Sequence, residues 1–220
     1  MRDPDILRGT YEDILYRDSI TRWKIRDVDT FINLARFLLT NIGSEVSYRS
    51  LATTLGVKSI TTVRGYIRNL ANTYLIFEIY RYDPSLKKQY GSGKKIYAID
   101  TGMRNQVSFR FSSDNGKLLE NLVFLELKRL GLDIYYHSST KECDFLTIDR
   151  GRTIGLYQVC YELTDQNRER EYGGLQEAMN QYSLTFGTII TLNQEEKVVV
   201  PEGIIRIIPA WRWFLDTSGI

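Results

Sequence analysis

Apolar residues in the first third of the chain recur at helical spacing. Between Asp27 and Asn41, the residues Val28, Phe31, Ile32, Leu34, Ala35, Leu38 and Leu39 form one wide apolar stripe, the mark of an amphipathic helix. Asp27 or Asp29 is placed to cap its start, and Ile42-Gly43-Ser44 ends it. Upstream, Ile6, Leu7, Tyr11, Ile14, Leu15 and Ile20 repeat at near-helical spacing without the makings of a separate core, so residues 1–26 are predicted as a polar helical segment. Two further helices follow, Ser47 to Gly56 and Ser59 to Leu70, each opened by a serine and the first stopped by glycine. Ala52 is small where the helices cross, Gly56 sits in the turn, and Val63 and Ile67 face inward, which is a helix-turn-helix pattern. Leu75 to Tyr82 and Lys95 to Ile99 then read as the two strands of a wing joined by Asp83 to Lys94, and Arg104 to Asn115 reads as a polar junction. Residues 27–112 are thus predicted as a winged helix-turn-helix with its junction.

The pattern changes after Lys117. It reads as helix 117–130, strands 133–137, 143–149 and 153–162, helix 168–182, strands 186–192 and 204–208, and a short helix around Trp211 and Trp213. The turns Arg150-Gly151-Arg152 and Pro201-Glu202-Gly203 fit hairpins. Residues 113–220 are therefore predicted as an α/β sandwich around a mixed sheet, and the chain as a whole as α/β (α+β).

At 220 residues with 43% hydrophobic content, the chain is long enough for one large or two modest domains and is not globally disordered. The net charge of +2 conceals a division. Residues 1–112 hold 18 Lys/Arg against 11 Asp/Glu, whereas residues 113–220 hold 11 against 16. The first half is the one suited to a polyanion. Cys143 and Cys160 lack CxxC or Cys/His spacing, so neither a zinc site nor a disulfide framework is indicated. The lone His137 reads as a partly exposed structural residue. No apolar run reaches the roughly 18–20 residues of a bilayer span. The start Met1-Arg2-Asp3-Pro4-Asp5 does not resemble a signal peptide, so a cytoplasmic protein without a membrane partner is expected.

Candidate chemistry lies between Leu119 and Tyr161. Glu120 sits on a helix-like run, Asp144 follows in Glu142-Cys143-Asp144-Phe145, and Gln158-Val159-Cys160 comes fourteen residues after Asp144. Metal-dependent phosphodiester cleavage needs hard oxygen ligands for Mg²⁺ or Mn²⁺ and a cation to orient the attacking water. Glu120, Asp144 and Gln158 offer such oxygens, with the Val159 carbonyl as a further ligand, but Cys160 offers a neutral thiol. Lys128, eight residues after Glu120, and Lys141 are candidates for a displaced cation. The order of acid on a helix, Asp on a strand and Gln-x-Cys on the next strand resembles the PD-(D/E)XK nuclease core, with cysteine where that family has lysine. This resemblance implies a nuclease-like fold in residues 113–220 and a degenerate catalytic set of Glu120, Asp144 and Gln158, with Glu120 and Asp144 as candidate metal ligands.

The phrases YEDILYRDSITRWKIRD, LARFLLTNIGSEVSYRSLATTLGV, YLIFEIYRYDPSLKKQ, KKIYAIDTGMRN, LLENLVFLELKRLG and KECDF resemble the C-terminal region of a family of archaeal and bacterial AAA-type ATPases. In that family a nucleotide-binding domain precedes a winged helix and a restriction-endonuclease-like domain of unknown function. The resemblance implies DNA-linked work, with an ATPase module or a full-length homologue as a partner. No G-x-x-x-x-G-K-[ST] is present, since Gly91-Ser92-Gly93-Lys94-Lys95 lacks the spacing, so no ATP hydrolysis is expected from this chain. It is either a piece of a longer protein or a stand-alone remnant. Three functions stay open. In the first, a DNA-binding module carries a non-cutting nuclease-like domain, with phosphate contacts from Arg49, Lys58, Arg64 and Arg68 near the second helix and Lys87, Lys88, Lys94 and Lys95 on the wing, and base contacts from Ser59, Thr61 and Thr62. In the second, the chain is an active metal-dependent nuclease. In the third it is an interaction or oligomerisation platform, which the Trp211 to Phe214 cluster would serve.

Overall fold

The computed structural model describes residues 4–108 and 115–218. These form two compact units, Met1–Ile79 with Gly91–Ser112 and Tyr80–Tyr90 with Ser113–Ile220. In chain order the first elements are α1 (Pro4–Asp13), a π-helical continuation over Ile14–Thr21, α2 (Val28–Thr40), β1 (Glu45–Val46), α3 (Tyr48–Thr54), α4 (Ile60–Asn72), β2 (Ile76–Arg81), α5 (Leu86–Gly91), β3 (Lys94–Ala98) and α6 (Thr101–Val107).

The first unit is held by its caps and its apolar stripe. The Asp27 carboxylate accepts the Thr30 N–H at 3.1 Å. Ser47 and Ser50 form a capping box on α3, and the Ser59 hydroxyl accepts the Thr62 N–H at the start of α4. Phe31, Leu34, Leu38, Ala52, Val63 and Ile67 are buried, as the periodicity predicts, and β1 pairs antiparallel with β3. Tyr11, Leu15 and Ser19 of the N-terminal segment are buried in the same unit. Two expectations change. The predicted polar junction begins inside α6, where buried Arg104 donates to the Leu39 carbonyl (3.0 Å) and the Thr40 carbonyl (3.2 Å), satisfying carbonyls at the open end of α2; residues 109–114 lie outside the described residues. The predicted wing loop contains α5, and Lys94 and Lys95 are buried in β3 instead of exposed.

The tract 80–90 belongs to the second unit because the end of β2 pairs there. Tyr80 and Arg81 run parallel to Tyr135 and Tyr136, the Tyr82 N–H donates to Tyr136 at 2.9 Å, and the Tyr82 ring packs edge-on against Tyr135 and Tyr182. The elements from Ser113 onward are α7 (Asn115–Arg129), β4 (Asp133–Ser138), β5 (Glu142–Asp149), β6 (Arg152–Val159), α8 (Arg168–Tyr182), β7 (Phe186–Thr191), β8 (Glu196–Val200), β9 (Gly203–Pro209) and α9 (Ala210–Ser218). Their strands lie in the order β4-β5-β6-β7-β9-β8. β4–β5, β5–β6 and β8–β9 are antiparallel, whereas β6–β7 and β7–β9 are parallel, so the sheet is mixed. Arg150 and Gly151 both take positive φ in the two-residue turn between the paired Asp149 and Arg152, the backbone of a tight hairpin. β8 was not predicted as a strand, although its turn was.

The sheet is covered on both faces. Phe145 and Tyr157 are cross-strand partners on one face, where Phe145 meets Phe124 of α7 and Tyr157 meets Trp213 of α9. Leu146 and Leu156 point the other way, into a cluster with Leu175, Ala178 and Met179 of α8. The architecture is mixed α/β, and among the described residues no helix is long and apolar enough to cross a membrane. Gly174 sets how closely α8 approaches β5, because a Cβ there would overlap the backbone carbonyl oxygen of Glu142. We predict that Gly174→Ala destabilises the second unit by about 1–3 kcal/mol, read as a lowered urea midpoint at unchanged slope; an unchanged midpoint would show that this contact does not fix the helix.

Candidate functional site

A cleft of about 1020 Å³ opens in the second unit, and Glu120, Asp144, Gln158, Val159 and Cys160 all line it. Asp144 and Gln158 stand on β5 and β6, one step beyond the Phe145–Tyr157 pair. Alternation directs them to the face that α8 covers. Glu120 comes from α7, where the Lys117 ammonium donates to it at 3.0 Å. Glu120, Asp144 and Gln158 are all nearly buried.

Hydrogen bonds fix this floor. An Asp144 carboxylate oxygen accepts the Val159 N–H at 3.0 Å, and the Asp144 N–H donates to Oε1 of Gln158 at 3.2 Å. Nε2 of Gln158 donates to Glu171 of α8 at 2.7 Å, and the Arg170 guanidinium closes on the other oxygen of Glu171. Glu171 is the site residue that sequence reasoning missed. It sits in Arg168-Glu169-Arg170-Glu171, which looks like a solvated helix start, yet it shares helical phase with Leu175 and Ala178, and all three are buried.

Glu120 and Asp144, the two carboxylates expected as metal ligands, both line the cleft. Among the described residues no group of three or more His, Cys, Asp and Glu side chains is arranged to hold a metal ion. The Gln158 oxygen expected as a ligand accepts the Asp144 N–H. Position 160, where the resemblance would place a lysine, holds a thiol. Burial, and then the neighbouring Glu171 carboxylate, push Cys160 up to about 11, so it stays protonated at neutral pH. Its sulfur donates to the Glu162 carbonyl and faces the Asn167 amide at 3.5 Å. Of the two candidate replacement cations, Lys141 lines the cleft, whereas exposed Lys128 is not among the residues that line it.

His137 is buried, contrary to expectation. Its ring nitrogens meet the Tyr182 hydroxyl at 3.0 Å and Glu177 at 2.9 Å, and Glu177 also accepts the Lys141 N–H. Burial alone would raise the Glu177 carboxyl, but the bonds from His137 and Lys141 leave it lowered. This chain of contacts holds the β4–β5 turn that rims the cleft.

The predicted nucleic-acid residues divide. Arg49, Lys58, Arg64 and Arg68 are exposed on or beside α3 and α4. Along α4, Thr61, Arg64, Arg68 and Asn72 form one solvent-facing stripe opposite buried Val63, Ile67 and Leu70. Lys87 and Lys88 are exposed on α5, in the second unit. Lys94 is occupied within the first unit, donating to the Ser92 carbonyl at 2.7 Å and lying 4.7 Å over the Tyr48 ring, with its pKa lowered by burial. Ser59 is used as a helix cap. Trp213 is buried, whereas Trp211 is exposed.

We predict that Gln158→Glu sets two carboxylates against each other in the buried floor. The repulsion would raise a folded-state pKa, so the variant should be destabilised at pH 7 and regain stability as pH falls toward 5. Urea unfolding at both pH values measures this, and a variant as stable as the parent at pH 7 would contradict the bridge.

Residues 1–114 match the model of a domain of unknown function, DUF8612, and the chain belongs to that family. It is 36% identical over 228 aligned residues to an uncharacterized protein of Methanocaldococcus jannaschii, covering 96% of this chain and 50% of that protein. An uncharacterized protein of Haemophilus influenzae is 26% identical over 171 residues, covering 76% of this chain and 42% of that protein. The chain thus spans about half the length of these relatives. No solved structure matches it.

Proposed function

We propose that this DUF8612 family member is a nucleic-acid-binding module, a winged helix followed by a PD-(D/E)XK-like domain that does not cut, working beside an ATPase module. The stripe Thr61, Arg64, Arg68 and Asn72 on α4 carries the reading. It gives a helix whose inner face is packed and whose outer face offers guanidinium groups to a phosphate backbone. The order helix, short strand, helix, helix, two strands, with β1 beside β3, agrees with a winged helix.

Charge in the second unit supports the non-cutting half of the reading. Glu120, Glu142, Asp144, Glu162, Glu169 and Glu171 line the cleft against Lys117, Lys141 and Arg170. A phosphodiester entering it meets an acidic wall, and the thiol of Cys160 supplies no charge to complement the one that develops on phosphate.

Replacing Arg49, Lys58, Arg64 and Arg68 together with Gln should weaken duplex DNA binding and reduce the slope of log affinity against log salt by about 0.9 for each phosphate no longer neutralised. An unchanged slope would remove the nucleic-acid reading. Plasmid and single-stranded DNA should stay intact with Mg²⁺ or Mn²⁺. Cutting that Asp144→Ala abolishes would replace the non-cutting reading with that of an active metal-dependent nuclease.

A further inference from the structure

Building on the nucleic-acid reading above, we propose that Ile60 and Thr61 read thymine through its 5-methyl group in the major groove. Ile60 is the first residue of α4 and keeps 42% of its surface exposed. A branched aliphatic side chain is thus left partly in solvent at the position after the Ser59 cap. Thr61 beside it is exposed and presents its own methyl group. Ile60, Arg64 and Arg68 are spaced four residues apart and therefore run along one line of the helix, with the apolar group at its N-terminal end and the guanidinium groups behind. A helix laid in the major groove reads bases with its N-terminal residues, while cations farther along reach the backbone.

The remaining readers on α4 are few. Ser59 is committed to the cap through the Thr62 N–H. Asn69 is buried, and Asn72 lies at the far end of the helix. Amide pairing to adenine is therefore absent from the first turns of α4. The base feature that an exposed isoleucine and a threonine methyl match is the C5-methyl of thymine, which other bases do not present.

Binding of the chain to a mixed-sequence duplex is compared, at one fixed salt concentration, with binding to the same duplex in which deoxyuridine replaces every thymidine. Removing each thymine methyl that the helix touches should weaken binding about fourfold, the worth of one buried methyl-sized group. Ile60→Ser should shrink this difference while keeping the salt slope. Ile60 is exposed and lies outside the buried core, so the variant is expected to fold. Equal affinity of the unaltered chain for both duplexes would overturn the methyl reading and leave the phosphate reading standing. A thymine preference that Ile60→Ser leaves intact would overturn the role given to Ile60. No binding to either duplex at low salt would overturn both readings.

Discussion

The side-chain amide of Gln158, caught between the Asp144 N–H and the Glu171 carboxylate, ties β5, β6 and α8 together at the cleft floor. A buried carboxylate costs several kcal/mol unless donors reach its oxygens. Here the donors come in sequence: the Val159 N–H to Asp144, Gln158 to Glu171, and Arg170 to Glu171. The amide has one workable orientation, since its oxygen must meet an N–H and its nitrogen must meet a carboxylate. That requirement is met with β5 and β6 in this register and with Glu171 on the buried side of α8, and the bare backbone of Gly174 lets α8 come close enough.

Local signals carried much of the first unit into the sequence. Caps at Asp27, Ser47 and Ser59 and the inward set Val63 and Ile67 are short-range features, and each is present. What the sequence hid were long-range choices. Nothing in Tyr80-Arg81 says that the end of a strand will pair with Tyr135 and Tyr136, which takes residues 80–90 into the second unit. Arg104 caps a helix that ends more than sixty residues earlier. Lys94 looks like wing surface because a charge normally stays wet, yet its stem lies in the sheet while the ammonium reaches the Ser92 carbonyl and the Tyr48 ring. β8 escaped because Lys197-Val198-Val199-Val200 is a brief run behind Glu195-Glu196, with no alternation to mark it.

The site was legible in its members more than in their roles. Glu120, Asp144, Gln158 and Cys160 do line one cleft. Gln158, expected as an oxygen ligand, also bridges to Glu171, a partner that the sequence did not reveal. Glu171 was obscured by the exposed charges just before it, Glu169 and Arg170, although its phase with Leu175 and Ala178 was readable. A charged residue on the buried stripe of a helix is a signal in its own right, since burial of a charge demands a partner.

Binding and cutting place different demands on a chain. A phosphate backbone is held by exposed cations on a rigid element, and under the proposal α4 would meet that demand with Arg64 and Arg68, which are exposed to water. Cleavage needs positive charge inside a buried acidic site, where a cation must repay its own desolvation. Position 160 holds a thiol kept neutral by burial, and hydrogen bonds within the floor are directed at Asp144, Gln158 and Glu171 themselves. Under the non-cutting proposal, hydrogen bonds to Asp144 and Glu171 let the helix-strand-strand frame persist without cleavage chemistry. On the proposed reading, the frame is kept by its internal hydrogen bonds and the function is carried by the outer face of α4.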